Sequence, residues 1–281
     1  MNSLQADYQV EELAQALEVT SSGFYAHQHK PAGARARQDQ ELIPRIAAIF
    51  KASRRTYGSP RICVALSRVG QRCGKNRVAR LMRQNQMRAR QKRRFVPRTT
   101  QSTHALPVAP NWLARIPAPA RLDRVWVVDI TYLATAEGWL YLAVILDACS
   151  RKVVGWATRT SLETSLVTEA LVRAQRERRP QPGLLHHSDR GVQYASSAYR
   201  ALLASYQITP SMSRPANPYD NALAESFFAT LKTECFGTEL PGTRAEATLK
   251  VFDYIETFYN PRRLHSALGY CSPVEFENQF N

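Results

Sequence analysis

Acidic side chains are missing from a long stretch of this chain: none lies between Glu41 and Asp123. Residues 1–100 carry 20 basic and 6 acidic side chains, whereas residues 101–281 carry 18 and 17. A one-signed stretch of about eighty residues repels itself unless a polyanion screens it. A solvated basic surface or a disordered arm is the plain alternative. Low-complexity composition is missing too, however, and apolar residues recur at helical spacing. The stretch is therefore expected to fold and to meet nucleic acid, whose phosphates release counterions to Arg and Lys. Long apolar runs are also lacking, which excludes a membrane-spanning helix. No helix with a wide apolar face stands out, which disfavours a membrane surface. No CxxC pair occurs among Cys63, Cys73, Cys149, Cys235 and Cys271. That odd, scattered set gives no zinc spacing and fits reduced thiols in a cytosol. The opening segment MNSLQADYQVEEL is polar and acidic, unlike a signal peptide. What remains is ordinary for a globular protein: 281 residues, 44% hydrophobic and 22% charged. The length suits one large domain or a few smaller ones.

Residues 9–29 resemble two short helices about a turn, with Leu13 and Leu17 on one face and Thr20, Ser21 or Ser22 as a cap. A helix-turn-helix and a plain helical hairpin are both open for this segment. A linker is expected over 30–38 and a helix over 41–52. Ser59 before Pro60 marks the next helix start. Ile62, Ala65, Leu66 and Val69 form its stripe, Gly70 and Gly74 bracket a turn, and Val78, Leu81 and Met82 form the following stripe. Lys75, Asn76, Arg77, Arg80 and Arg83 are expected to point outward. A short helix, a turn and a helix with outward Arg and Asn is the pattern of a DNA-reading unit.

Residues 88–98 are a basic run, and five prolines fall at 97, 107, 110, 117 and 119. Such density continues neither helix nor central strand, so an extended linker is expected. The divisions expected are a helix-turn-helix-like segment and linker (1–38), a helical DNA-binding domain (39–96), a proline-rich linker (97–122) and a catalytic core with a helical extension (123–281). A chain starting near Leu122 is expected to fold without the helical part. From Val125 the texture changes to strands: VWVVDITYL, then WLYLAVILD after the turn Ala136-Glu137-Gly138, then KVVGWAT. A helix over 161–178, the strand LLHHS, a helix over 196–206, the strand ITPSM and a helix from Ala222 to Glu234 follow. This order predicts an α/β layered domain with a sheet covered on both faces.

Asp129 interrupts an apolar strand, where a lone buried carboxylate is costly. Asp189 follows a strand end, where α/β sheets present ligand groups. Glu225 sits on the helix after RPANPYDN. The three can meet at one sheet edge, and hard oxygen donors suit Mg²⁺ or Mn²⁺. Two such ions can hold the attacking and leaving oxygens of a phosphoryl displacement. Taken singly, each acid has a structural alternative: a kink or a Thr contact for Asp129, a turn or Arg190 for Asp189, a helix N-terminus for Glu225. His186 and His187 face opposite ways on a strand and cannot share an ion. Asp147 is expected to shape its turn or pair with Arg151, and Asp220 and Asn221 to start a helix. Arg262, Arg263 and His265 either touch DNA or cap helix ends. Cys235 and Cys271 are expected to pack.

The strings VDITYLATAEGWLYLAVILDACSRKVVGW, HHSDRGVQYAS, NPYDNALAESFFATLKTE and YNPRRLHSALGYCSP closely resemble the transposases of bacterial insertion sequences of the IS-three group, in the downstream, catalytic reading frame (OrfB type). The segment SRRTYGSPRI…RVARLMR resembles the helix-turn-helix region that precedes the core there. The 35 residues between Asp189 and Glu225 match the spacing of that subclass.

The resemblance implies a retroviral-integrase-like DDE enzyme: a ribonuclease-H-like core with a mixed five-stranded sheet and flanking helices, preceded by an all-α helix-turn-helix region. It implies that Asp129, Asp189 and Glu225 hold Mg²⁺ or Mn²⁺, as a pair of ions, and that Lys232 approaches the DNA backbone. It implies strand cleavage and strand transfer on double-stranded DNA at insertion-sequence ends and target. It further implies a homo-oligomer on DNA in the bacterial cytoplasm, at the nucleoid, with an upstream-frame protein as a further partner. The alternatives are a non-catalytic DNA-binding regulator, a partial product that needs an upstream-frame fusion, and an RNA nuclease of the same core.

Overall fold

The computed structural model describes residues 8–28, 33–90, 106–214 and 221–280. Two short helices open it, α1 (Val10–Ala16) and α2 (Ser21–Gln28). Thr20 Oγ1 accepts from the Gly23 amide at 3.0 Å and so caps α2. Next comes α3 (Ala34–Ala52), longer than the sequence suggested. The segment expected as linker up to residue 38 is helical from Ala34, because Ala, Arg and Gln are strong helix formers. Asp39, Leu42, Ile46 and Phe50 form its buried face.

Helices α4 (Ser59–Arg68) and α5 (Lys75–Gln84) follow. Ser59 is the first residue of α4 rather than its cap; Gly58 flanks it, and Pro60 occupies the first turn, where no amide is needed. Ile62 and Leu66 are buried as expected, but Val69 ends the helix 65% exposed. Val78, Leu81 and Met82 are buried on α5.

The sheet consists of β1 (Val125–Thr135), β2 (Gly138–Asp147), β3 (Val153–Arg159), β4 (Leu185–Ser188) and β5 (Thr209–Met212), in the order β3-β2-β1-β4-β5. β1, β2 and β3 pair antiparallel, whereas β4 runs parallel to both β1 and β5. Gly138 turns the first hairpin at φ +104°, a conformation that side chains resist. Helices α6 (Thr164–Arg178), α7 (Val192–Ala195) and α8 (Ser197–Ser205) connect the parallel strands, and Leu166, Ala170 and Tyr199 cover Trp126 and Val128 on one sheet face.

The other face is covered by α9 (Ala222–Leu231), which widens into a π-helical turn over Lys232–Phe236, and by α10 (Arg244–Phe252), which widens likewise over Asp253–Tyr259. The single α-helix expected to run to Glu234 therefore changes pitch at Lys232. The chain closes with α11 (Asn260–Arg262) and α12 (Pro273–Glu277).

Gly155 on β3 lies against α6. A Cβ there would overlap the Ala170 carbonyl oxygen and stand 2.7 Å from Ala174 Cβ. Gly155→Ala is expected to cost about 1–3 kcal/mol, the usual penalty of overpacking, seen as a lower urea midpoint. An unchanged midpoint would show that α6 shifts freely on the sheet.

The helical region and the sheet domain share one apolar core. A continuous cluster joins Ile46, Phe50, Tyr57 and Ile62 to Val127 and Val144 of the sheet and to Tyr254 and Phe258 of the C-terminal region. Arg54 meets Asp253, Arg68 meets Glu275, and Tyr57 Oη accepts from the Leu264 amide at 2.8 Å. Truncation to residues from Leu122 onward would strip apolar cover from Tyr254 and Phe258, so this shared core weighs against that part folding alone. Among the described residues no helix is long and apolar enough to cross a membrane.

Candidate active site

The register of β1 with β4 builds the site. Val125 pairs with Leu185 and Val127 with His187, so the same register continued by two residues sets Asp129 beside Asp189, just past the end of β4. Alternation along β1 puts Asp129 on the face of Val125 and Val127, under α9. Asp129 is half-buried, and its Oδ1 accepts from the Ile130 amide at 2.8 Å. Asp189 Oδ1 accepts from the Gly191 amide at 2.9 Å. Glu225 lies exposed in the first turn of α9, and Lys232 follows seven residues later, on the same side of the helix.

The other three charges act on Asp129, and Asp129 acts on Lys232. Burial first, and then the Asp189 charge, push the Asp129 carboxyl well above the usual carboxylate range, with Glu225 adding to the push. The Ile130 amide and the Lys232 ammonium oppose it. Burial draws Lys232 down, and Asp129 pulls it back up. Among the described residues no three His, Cys, Asp or Glu side chains stand close enough to hold a metal ion. The acids are thus electrostatic neighbours set around one strand end and one helix, not a closed ligand cage.

Two tyrosines escaped the sequence. Tyr194 on α7 is buried, its hydroxyl has no partner among the described residues, and burial with the Asp189 and Asp129 charges raises its pKa far above normal. Burial, Tyr141 and Asp189 raise Tyr132 as well. The only available signal for Tyr194 was its place five residues after Asp189.

Other expected candidates are structural. His186 bonds Tyr199 Oη at 2.9 Å, and His187 bonds Ser211 and Ser213 at 2.9 and 3.1 Å, on opposite faces as expected. Burial draws His186 down to about 3, so it stays neutral. Asp147 accepts from the Asp123, Cys149 and Ser150 amides and shapes its turn. Asn221 precedes α9 without a side-chain cap, and Asp220 lies outside the described residues. Arg263 is buried on Glu234, while Arg262 is exposed.

On α5 the structure brings two of the expected DNA-contact residues to an acid of another helix. Arg77 and Arg80 do not point freely outward. Both turn to Asp39 of α3, Arg77 through a 2.6 Å ion pair. The apolar pattern of α5 could not show an acid brought in from another helix. Lys75, Asn76 and Arg83 remain exposed.

Hydrogen bonds from Arg80 and then Arg77 hold the Asp39 carboxyl below its usual range. A folded-state value lowered in this way gives stability that is complete above about pH 4 and fades as pH falls through the lowered value. Asp39→Asn is expected to remove that acid-side dependence of the urea midpoint. It should also free both arginines, steepening the log–log salt slope of duplex binding by up to about 1–2. Identical slopes and identical pH profiles would show that the pair gates nothing.

Comparison with known proteins now decides the family. Residues 119–218 match the Integrase core domain, residues 206–273 a second Integrase core domain model, and residues 37–95 the HTH-like domain. The insertion element IS600 uncharacterized 31 kDa protein of Shigella sonnei is 42% identical over 96% of this chain and 98% of its own. The transposase for insertion sequence element IS904 of Lactococcus lactis is 41% identical over 84% of this chain and 93% of its own. Transposase InsF for insertion sequence IS3A of Escherichia coli is 37% identical over 98% of this chain and 96% of its own. The chain belongs to the insertion-sequence transposase family. Its mixed sheet with helices on both faces is the integrase core of that family, and its α3–α5 region is the HTH-like unit. Asp129 and Asp189 of this transposase-family chain fall within the first core match, and Glu225 and Lys232 within the second.

Proposed function

We propose that the chain is a DNA transposase that cuts phosphodiesters at the ends of its insertion sequence and joins the freed 3′-hydroxyl to target DNA. The observation that carries this is the placement of Asp129, midway along β1, beside Asp189 just past the end of β4 and near Glu225 on α9, with both neighbouring charges acting on the Asp129 carboxyl. In this reading water attacks the phosphorus in line and the 3′ oxygen leaves. That hydroxyl then attacks the phosphorus of a target phosphodiester in line, and the target strand's own 3′ oxygen leaves with a proton, so no covalent enzyme intermediate is needed. Phosphoryl transfer asks mostly for positioning and charge balance.

The donor set fits a divalent ion: three carboxylates are hard oxygen donors, and the like-charge strain on Asp129 is what a cation relieves. Mg²⁺ or Mn²⁺, as a pair held by Asp129, Asp189 and Glu225, would polarise the phosphoryl group and stabilise both the entering and leaving oxygens. Lys232 sits where its ammonium balances Asp129 and meets a phosphate oxygen beside it. Lys75, Asn76 and Arg83 on α5 offer donors to the duplex, with Arg77 and Arg80 held back by Asp39. Joining two ends to one target calls for more than one copy, so a homo-oligomer assembles on DNA, and an upstream-frame protein is a further partner. This activity places the chain on DNA in the bacterial cytoplasm, at the nucleoid.

A strand-transfer assay on labelled DNA from the flanks of the gene, with and without Mg²⁺, tests the proposal. Cleaved and joined products that need the ion are expected. Binding to those ends without cleavage or joining would favour a non-catalytic DNA binder instead.

A further inference from the structure

A polar cavity of about 210 Å³ opens on the opposite side of α9 from Glu225 and Lys232. Arg61 of α4, Arg151 of the β2–β3 turn, Arg263, His265, and Ser226 and Thr230 of α9 bound it. By the helical period, Ser226 and Thr230 share one face of α9, while Glu225 and Lys232 share the reverse face. The cavity therefore belongs to a different wall of the molecule from the acids.

Among the described residues that line it the charges are all positive, and no carboxylate is present. Arg263 is committed to Glu234 through two hydrogen bonds of 2.7 and 2.6 Å. Among the described residues neither Arg61 nor Arg151 makes an ion pair. Arg61 lies over the Tyr57 ring at 5.6 Å, and both guanidiniums are half-buried. His265 is neutral, drawn down to about 3 by burial and by the Arg263, Arg61 and Arg151 charges. Its Nε2 accepts from Arg263 Nη1 at 3.4 Å, which leaves Nδ1 to carry the proton.

Two half-buried guanidiniums with no direct ion pair among the described residues, and only the more distant charges of Glu234 near Arg61 and Asp147 near Arg151, gain from an anion placed between them. A guanidinium fork matches phosphate oxygens two at a time, and the hydroxyls of Ser226 and Thr230 add donors. At roughly 30 Å³ per water, the volume holds several waters or one phosphate group. The basic helical region meets the core at this point, so a duplex lying along both passes over the cavity.

We propose that this cavity holds one backbone phosphate of the DNA, clamped between Arg61 of the helical region and Arg151 of the core. The proposal rests on the reading of the chain as a protein that acts on DNA. It makes the seam between the two regions part of the DNA-binding surface, so the clamp exists only while they stay packed together.

The test is a salt titration of duplex binding by fluorescence anisotropy with the full chain. Wild type, Arg61→Gln, Arg151→Gln and the double variant are compared, with Arg200→Gln on exposed α8 as a control for net charge. Losing one phosphate contact should flatten the log–log slope by about 0.9. Because both arginines serve the same phosphate, the double variant should flatten it by about the same amount, not twice as much. Arg61→Lys, which keeps the charge and the fold but loses the fork, should retain the slope and bind more weakly.

A second arm measures melting of the full chain in inorganic phosphate against chloride at equal ionic strength. Phosphate should raise the melting temperature of wild type and not of the double variant. Stabilisation by phosphate with unchanged DNA slopes would mean that the cavity takes a free anion, and the DNA assignment would fall. Unchanged slopes with no phosphate effect would reduce it to a polar seam. Missing strand transfer alongside the expected slopes would overturn the catalytic reading and leave the clamp standing.

Discussion

Asp129→Asn is expected to leave a protein that folds and binds DNA but no longer cuts or joins it. The loss should be at least roughly a thousandfold, the scale on which one preorganised charged group acts in a transition state. Stability should hold or rise slightly. The substitution removes a charge that burial, Asp189 and Glu225 all disfavour in the ion-free protein. The decisive measurement pairs a cleavage assay with duplex binding and thermal melting on the same preparation. A fully active variant, or one that loses binding in step with activity, would remove Asp129 from the chemistry.

Glu234→Ala should have the largest effect on stability. Glu234 and Arg263 have side chains only 7% and 6% exposed, and the carboxylate also accepts from Tyr254 Oη at 2.9 Å. Removing one partner of such a pair strands a buried charge, at a cost of about 3–5 kcal/mol. Replacing both, as in Glu234→Ala with Arg263→Leu, should recover much of that loss because no uncompensated charge remains. Urea denaturation of the three proteins reads the difference. Equal losses in the single and double variants would show that packing, not charge, holds this corner.

The first three strands are legible as β-branched and aromatic runs with turns between them, whereas the short β4 and β5 are legible by their place between helices. Asp129 and Asp189 were legible for a related reason: a carboxylate inside an apolar strand, or just past the end of one, is conspicuous. The electrical coupling of Asp129 to Asp189 and Glu225 needed the structure, since it arises from the parallel register of two strands far apart in sequence. Tyr194 was hidden among ordinary helix residues.

Contacts between distant segments were the illegible part. A proline-rich stretch looks the same whether it separates two bodies or bridges one, and the apolar stripes of α3 and α4 do not name what they face. Asp39 illustrates the point: nothing in its own surroundings says that it will reach across to Arg77 and Arg80. In the same way, Arg262-Arg263 reads as a surface pair, yet one is buried on Glu234 and the other is exposed.

The shared core bears on how such elements diversify. When Ile46, Phe50 and Ile62 pack into the same cluster as Tyr254 and Phe258, the recognition unit is not an interchangeable cassette. A chimera that takes its helical unit from a relative with different ends inherits that relative's contact surface as well, and must match this core in shape or lose solubility. On the proposed reading of α5, new end specificity is reached more readily by changing its exposed residues, such as Lys75, Asn76 and Arg83, than by exchanging the whole unit.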